Sequence, residues 1–200
     1  MFGKLFKKTP QGPRLAYVTY QSKLIKYQQV TIAMQSIPLE KTLLVYFFEQ
    51  TGNETEQLLQ AAGVAYSRPA ERENLSPGLN LLYVGDLSEK HENAESVYAM
   101  EIHPVYSINQ SLAERFKDTG LEEITCYVGM DEPLMQIFGS ERIIEVLQKL
   151  GLEENETLNH PMIDKSIERA QNKLDNHSAR LQNITSSQND WMKANNHLIK

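Results

Sequence analysis

Leu43-Leu-Val-Tyr-Phe-Phe48 is an unbroken apolar run of six residues, too short for a helix and lacking the alternation of a half-buried strand. Such a run predicts a strand covered on both faces, the environment of a parallel sheet. Working outward, Glu54 to Ala62 has helical spacing with Leu58, Leu59 and Ala62 on its inner side, and Gly63 ends it. Val64 to Tyr66 and, after the polar loop Ser67 to Gly78, Leu79 to Val84 read as further strands. Upstream, Leu15 to Thr19 predicts a strand and Lys23 to Met34 a helix whose apolar side is Leu24, Ile25, Val30, Ile32 and Ala33. Downstream come a strand at Ser96 to Ile102, a helix at Val105 to Lys117 and a last strand at Ile124 to Val128. Strands alternating with helices predict an α/β fold, a parallel sheet flanked by helices with right-handed crossovers.

Beyond Gly129 the pattern turns helical. Ile143, Ile144, Val146, Leu147 and Leu150 form one apolar side, and Met162, Ile163, Ile167, Ala170 and Leu174 another. From Gln182 onward the chain is rich in Asn, Ser and Gln, which predicts an exposed or loosely held end. Residues 1–13 divide off as a tail, 14–139 as the sheet domain and 140–200 as a helical extension.

Composition narrows the function classes. A net charge of −6 lacks the basic face that nucleic-acid phosphates require, so no nucleic acid is expected as a partner. The single Cys126 cannot form an internal disulfide and fits a reducing, cytoplasmic setting. There is neither a run of about 18 apolar residues nor an apolar signal core. The five histidines are widely spaced and one thiol cannot build a zinc site, so no metal is expected. The start, Met1-Phe-Gly-Lys-Leu-Phe-Lys-Lys8, has two readings. Phe2, Leu5 and Phe6 with Lys4, Lys7 and Lys8 could rest on an anionic membrane surface, a peripheral contact with the inner face. Alternatively the stretch is a solvated, frayed terminus.

Two segments carry a resemblance. Glu101-Ile-His-Pro-Val-Tyr-Ser-Ile-Asn-Gln-Ser-Leu-Ala-Glu-Arg115, continuing to Gly120, matches a family pattern at Glu101, His103, Ile108, Leu112, Arg115 and Gly120 without a gap. Met130-Asp-Glu-Pro-Leu-Met-Gln-Ile-Phe-Gly-Ser-Glu-Arg142 and Ile167-Glu-Arg-Ala-Gln-Asn-Lys173 match the same family further on. The chain thus resembles SecA, the preprotein translocase ATPase, from its second RecA-like motor domain into the start of the helical scaffold. The resemblance implies a RecA-like fold of the P-loop NTPase superfamily, and a nucleotide face that includes Glu101, His103 and Arg115.

The departures matter as much. The family's second arginine, which reaches the nucleotide phosphates, is Asp118 here, and the Ala-Gly-Arg-Gly-Thr-Asp loop is Gly85-Asp-Leu-Ser-Glu-Lys90. A carboxylate in place of a phosphate-binding arginine reverses the charge that phosphoryl transfer needs. No Gly-x-x-x-x-Gly-Lys-Ser/Thr loop occurs in the sequence. The nucleotide face is therefore expected to be vestigial: no ATP or other cofactor, no catalytic residue, and no enzyme when the chain acts alone. The leading expectation is a pseudo-ATPase that serves as an interaction module beside the protein-translocation machinery. The alternative is half of a split translocase ATPase, completed in trans by a partner carrying the phosphate loop.

Overall fold

A computed structural model describes residues 12–36, 40–137, 139–149, 153, 156–158, 161–176 and 181–195. Six parallel strands form one sheet in the order β1-β6-β5-β2-β4-β3: β1 Arg14–Tyr20, β2 Thr42–Tyr46, β3 Tyr66–Ser67, β4 Leu79–Tyr83, β5 Ser96–Ala99 and β6 Glu123–Gly129. The helices are α1 Lys23–Ser36, α2 Glu49–Ala61, α3 Tyr106–Arg115, α4 Pro133–Gln136, α5 Ser140–Lys149, α6 Pro161–Asp175 and α7 Gln188–Asn195. This is the α/β parallel architecture expected from the alternation of strands and helices.

The central strand β2 is buried on both sides, and its alternating side chains serve two cores. Leu44 and Tyr46 pack with Tyr27, Val30 and Met34 of α1 and Leu59 of α2. Leu43 and Val45 pack with Leu112 of α3, Ile167 and Leu174 of α6 and Trp191 of α7. Helices moving the chain one way across the sheet therefore lie on one face, and those moving it back on the other, as right-handed crossovers require.

Three expectations are corrected. First, α1 does not bury Leu24 and Ile32, which are 66% and 53% exposed; its inner side is Lys26, Tyr27, Val30 and Met34. Lys26 can occupy that side because a carboxylate and a carbonyl wait for it there. Second, α2 starts at Glu49 rather than Glu54, and Gly52 is tolerated within it because the Tyr46 ring fills the space a Cβ would need. Third, the described part of the segment after Gln182, to Asn195, is not a loose end. Trp191 is 1% exposed and packs on His103, Gln188 bonds Leu134 N–H and the Ile102 carbonyl, and the fully buried Asn195 ties the stretch to itself through Gln182 and Trp191. The tail residues Phe2, Lys4, Leu5, Phe6, Lys7 and Lys8 lie outside the described residues, as do Leu150, His160, His177 and His197.

Candidate functional site: the crevice at the strand ends

In an open parallel sheet, ligands bind beyond the carboxyl ends of the strands, where neighbouring connections depart in opposite directions. Here that point lies between β2 and β5. From β2 the chain leaves through α2 toward β4 and β3, and from β5 it leaves through α3 toward β6. The residues that follow these two strands, Phe47-Phe48 and Met100 to His103, form the crevice walls. No side chain of Phe48 caps α2, so the first N–H groups of that helix would ordinarily be free for an anion.

They are not free. Glu101, 2% exposed, reaches across from β5 and its Oε1 accepts from Phe47 N–H at 3.1 Å and Phe48 N–H at 3.0 Å. Its Oε2 accepts from the Thr51 hydroxyl at 2.7 Å. The next two N–H groups, of Glu49 and Gln50, donate to the carbonyls of Thr185 and Ser186 at 2.8 and 2.9 Å. Burial pushes the Glu101 carboxyl up to about 7, against the pull of Lys26, the Thr51 hydroxyl and the Phe48 N–H.

Lys26 completes the floor. Fully buried, its ammonium donates to the Met100 carbonyl at 2.7 Å and pairs with Glu132 Oε1. Glu132 Oε2 in turn accepts from Gly129 N–H at 3.0 Å. Gly129 lets α1 approach this closely: a Cβ there would stand 2.7 Å from the Lys23 nitrogen. A cavity of about 120 Å³ remains above, lined by Thr51, Glu101, Glu132 and Gln188 among others.

His103 belongs to the same wall. Its Nδ1 accepts from Val105 N–H at 3.0 Å. Its ring stacks on Phe48 with centroids 5.4 Å apart and meets the Trp191 ring edge-on at 5.4 Å. Burial pushes the imidazole down to about 3, so it stays neutral and works as a packing and hydrogen-bonding group. Asn109 and Gln171 hold its backbone.

Of the three residues expected on a nucleotide face, the structure thus gathers Glu101 and His103 and leaves Arg115 apart. Arg115 is exposed at the last turn of α3, whose first turn begins beside His103, so the length of the helix separates them. Asp118 lies farther along the chain past that turn, 88% exposed at its side chain. Lys26 and Gln188 belong to no motif, and Glu132, though inside the matched stretch Met130 to Arg142, has no pattern there that assigns it to the crevice. One signal existed: Lys26, Val30 and Met34 fall at intervals of four, putting a charge in phase with the buried stripe. Among the described residues no group of three or more His, Cys, Asp or Glu could hold a metal ion, and no helix is long and apolar enough to cross a membrane.

No family model matches the chain. It is similar to the protein translocase subunit SecA of Christiangramia forsetii, 34% identical over 113 residues, which cover 55% of this chain and 10% of that protein. The SecA of Prosthecochloris aestuarii is 43% identical over 82 residues, covering 40% and 8%, and that of Acidithiobacillus ferrooxidans 51% identical over 49 residues, covering 24% and 5%. Among solved structures, the C-terminal part of the Fun30 ATPase domain aligns with a TM-score of 0.40 at 15% identity, covering 76% of this chain and 54% of that one. The alignments span a tenth or less of the length of these curated relatives. Over that partial region, the chain is SecA-like.

Proposed function

We propose that this chain is a SecA-like interaction module that works without nucleotide, as an accessory to protein translocation, with a protein partner in the translocation machinery. One observation carries the reading: the four successive N–H groups of residues 47–50, where a phosphate would dock, are all bound internally, by Glu101 and by the carbonyls of residues 185 and 186. A carboxylate at Asp118 and the position of Arg115 away from the crevice support the same reading. In this role the chain would be cytoplasmic. A peripheral membrane contact through Phe2, Leu5, Phe6 and the neighbouring lysines remains part of the proposal, to be read from sedimentation with anionic vesicles before and after deletion of Met1 to Lys8.

The test is thermal unfolding with and without magnesium and ATP. A ligand present at about 100 times its Kd adds about 2.7 kcal/mol, a rise of several degrees for a chain of this size. The expected result is no rise at millimolar ATP. A clear rise overturns the reading. A rise that appears only together with a phosphate-loop partner, and is lost on Arg115→Ala, makes the chain half of a split ATPase.

A further inference from the structure

The segment Leu181 to Asn195 is seated in the crevice at the strand ends, against the head of α2, α4 and the Ile102–His103 stretch. Residues 181–187 run without regular secondary structure into α7. The segment closes on itself: Asn195 Oδ1 accepts from Gln182 N–H at 2.8 Å, and Asn195 Nδ2 donates to the Gln182 and Trp191 carbonyls at 3.1 and 2.9 Å. Its two ends are thereby stapled to each other, so it is a body that can lift as one piece.

Its polar attachment to the crevice follows a simple code. Two adjacent carbonyls, of Thr185 and Ser186, take the Glu49 and Gln50 N–H groups at the head of α2. Gln188 bridges, its Oε1 accepting from Leu134 N–H of α4 at 3.0 Å and its Nε2 donating to the Ile102 carbonyl at 3.1 Å. Trp191 then fills the apolar space beside His103. The only ionisable side chains in the segment are Asp190 and Lys193, of opposite sign. Recognition therefore runs through main-chain carbonyls, the Gln188 amide, the Thr185 hydroxyl donating to Glu49, and the apolar Trp191 and Met192, with no net charge.

We propose that this groove is a protein-docking site which the chain fills in cis with its own residues 181–195. The occupant it accepts in trans is an extended segment of a partner protein, offering two adjacent backbone carbonyls and, five residues after the second, an aromatic side chain on a short helix. The segment then acts as a latch, and the partner binds by replacing it. The inference rests on the reading that this crevice serves proteins rather than nucleotide.

The probe is a synthetic, fluorescently labelled peptide of residues 181–195, titrated into the full chain. Wild type should bind it weakly because the groove is filled. The full-length Trp191→Ala variant, with its own latch weakened, should bind at least about tenfold more tightly. That gain should survive high salt, since the segment carries no net charge to screen, and should vanish when the peptide itself carries W191A. Equal binding to both proteins, or none to a folded variant, overturns the proposal. Amide exchange in the wild-type chain gives a second measure that survives a variant too unstable to use. The Glu49, Gln50 and Leu134 amides should exchange together and at least about tenfold faster than Leu44 and Val45 of β2, the mark of a local opening. If all five exchange at one rate, the latch never lifts alone and the proposal fails. An ATP-induced rise in melting temperature would undo the nucleotide-free reading without touching either result.

Discussion

Lys26 makes the sharpest demand on the fold. Its ammonium lies wholly out of solvent, paired with Glu132 and bonded to the Met100 carbonyl. Lys26→Ala removes the cation and leaves a 4% exposed carboxylate without its partner and a main-chain carbonyl without its donor. Breaking a buried pair from one side costs about 3–5 kcal/mol, because the remaining charge has neither water nor counterion. With a urea slope of about 2 kcal/mol per molar, the unfolding midpoint should fall by roughly 2 M. The double variant Lys26→Met, Glu132→Gln removes both charges, and its amide oxygen can still accept from Gly129 N–H. It should recover most of the loss, since an apolar replacement of a buried pair is often neutral or better. The assay is urea unfolding of the wild type, Lys26→Ala, the single variants Lys26→Met and Glu132→Gln, and the double variant at one pH, followed by circular dichroism. If Lys26→Ala costs less than about 1 kcal/mol, or if the double variant is as unstable as the single, the pair is not what makes this position sensitive.

Two further predictions concern the same wall. Glu101 is raised to about 7, so its contribution to stability is complete below the ordinary carboxylate range and is lost as pH rises through 7; His103 is lowered to about 3, so its contribution is complete above its ordinary value near 6.5 and is lost as pH falls toward 3. Between about pH 4.5 and 6.5 the two trends oppose each other, and replacing Glu101 with Gln should leave a stability that rises with pH across that window in urea titrations; a variant profile parallel to wild type would refute the assignment. Gly129→Ala places a methyl 2.7 Å from the Lys23 nitrogen and must push the start of α1 off the sheet, at about 1–3 kcal/mol by thermal unfolding. An unchanged melting temperature would mean that α1 does not sit so close.

The parts of the fold that could be read in advance are those where hydrophobicity and position agree. Leu43 to Tyr46 is apolar because both faces of β2 are covered, whereas a half-exposed strand would turn every second one of these side chains to water. Where a polar residue is buried with a partner distant in the chain, composition misleads. Lys26 looks like a solvent residue until Glu132 is brought to it, and hydrophobicity alone puts Leu24 and Ile32 in its place. The stretch after Gln182 looks like an unstructured end because its amides are polar, yet Gln188 and Asn195 direct that polarity to main-chain groups of the fold and of the segment itself. Glu101 and His103 were legible through their pattern with Ile108 and Leu112. Their partners were not, since Phe47 and Phe48 lie more than fifty residues upstream.

The charges of the crevice also decide what could enter it if the latch were lifted. Glu101 and Glu132 flank it, and Lys26, committed to Glu132 and to the Met100 carbonyl, has little to offer a newcomer. At an effective dielectric of about 20, each negative charge brought to about 5 Å from an ionised Glu101 is repelled by ~3 kcal/mol. A triphosphate carries several such charges and would find the Phe47 and Phe48 N–H groups already taken. A peptide carbonyl bears only a partial charge and needs just the Glu49 and Gln50 N–H groups, which stand free once Thr185 and Ser186 depart. Glu101 thus occupies the first pair of N–H groups, and under the proposed latch the second pair is what an opened groove would offer to a neutral main chain.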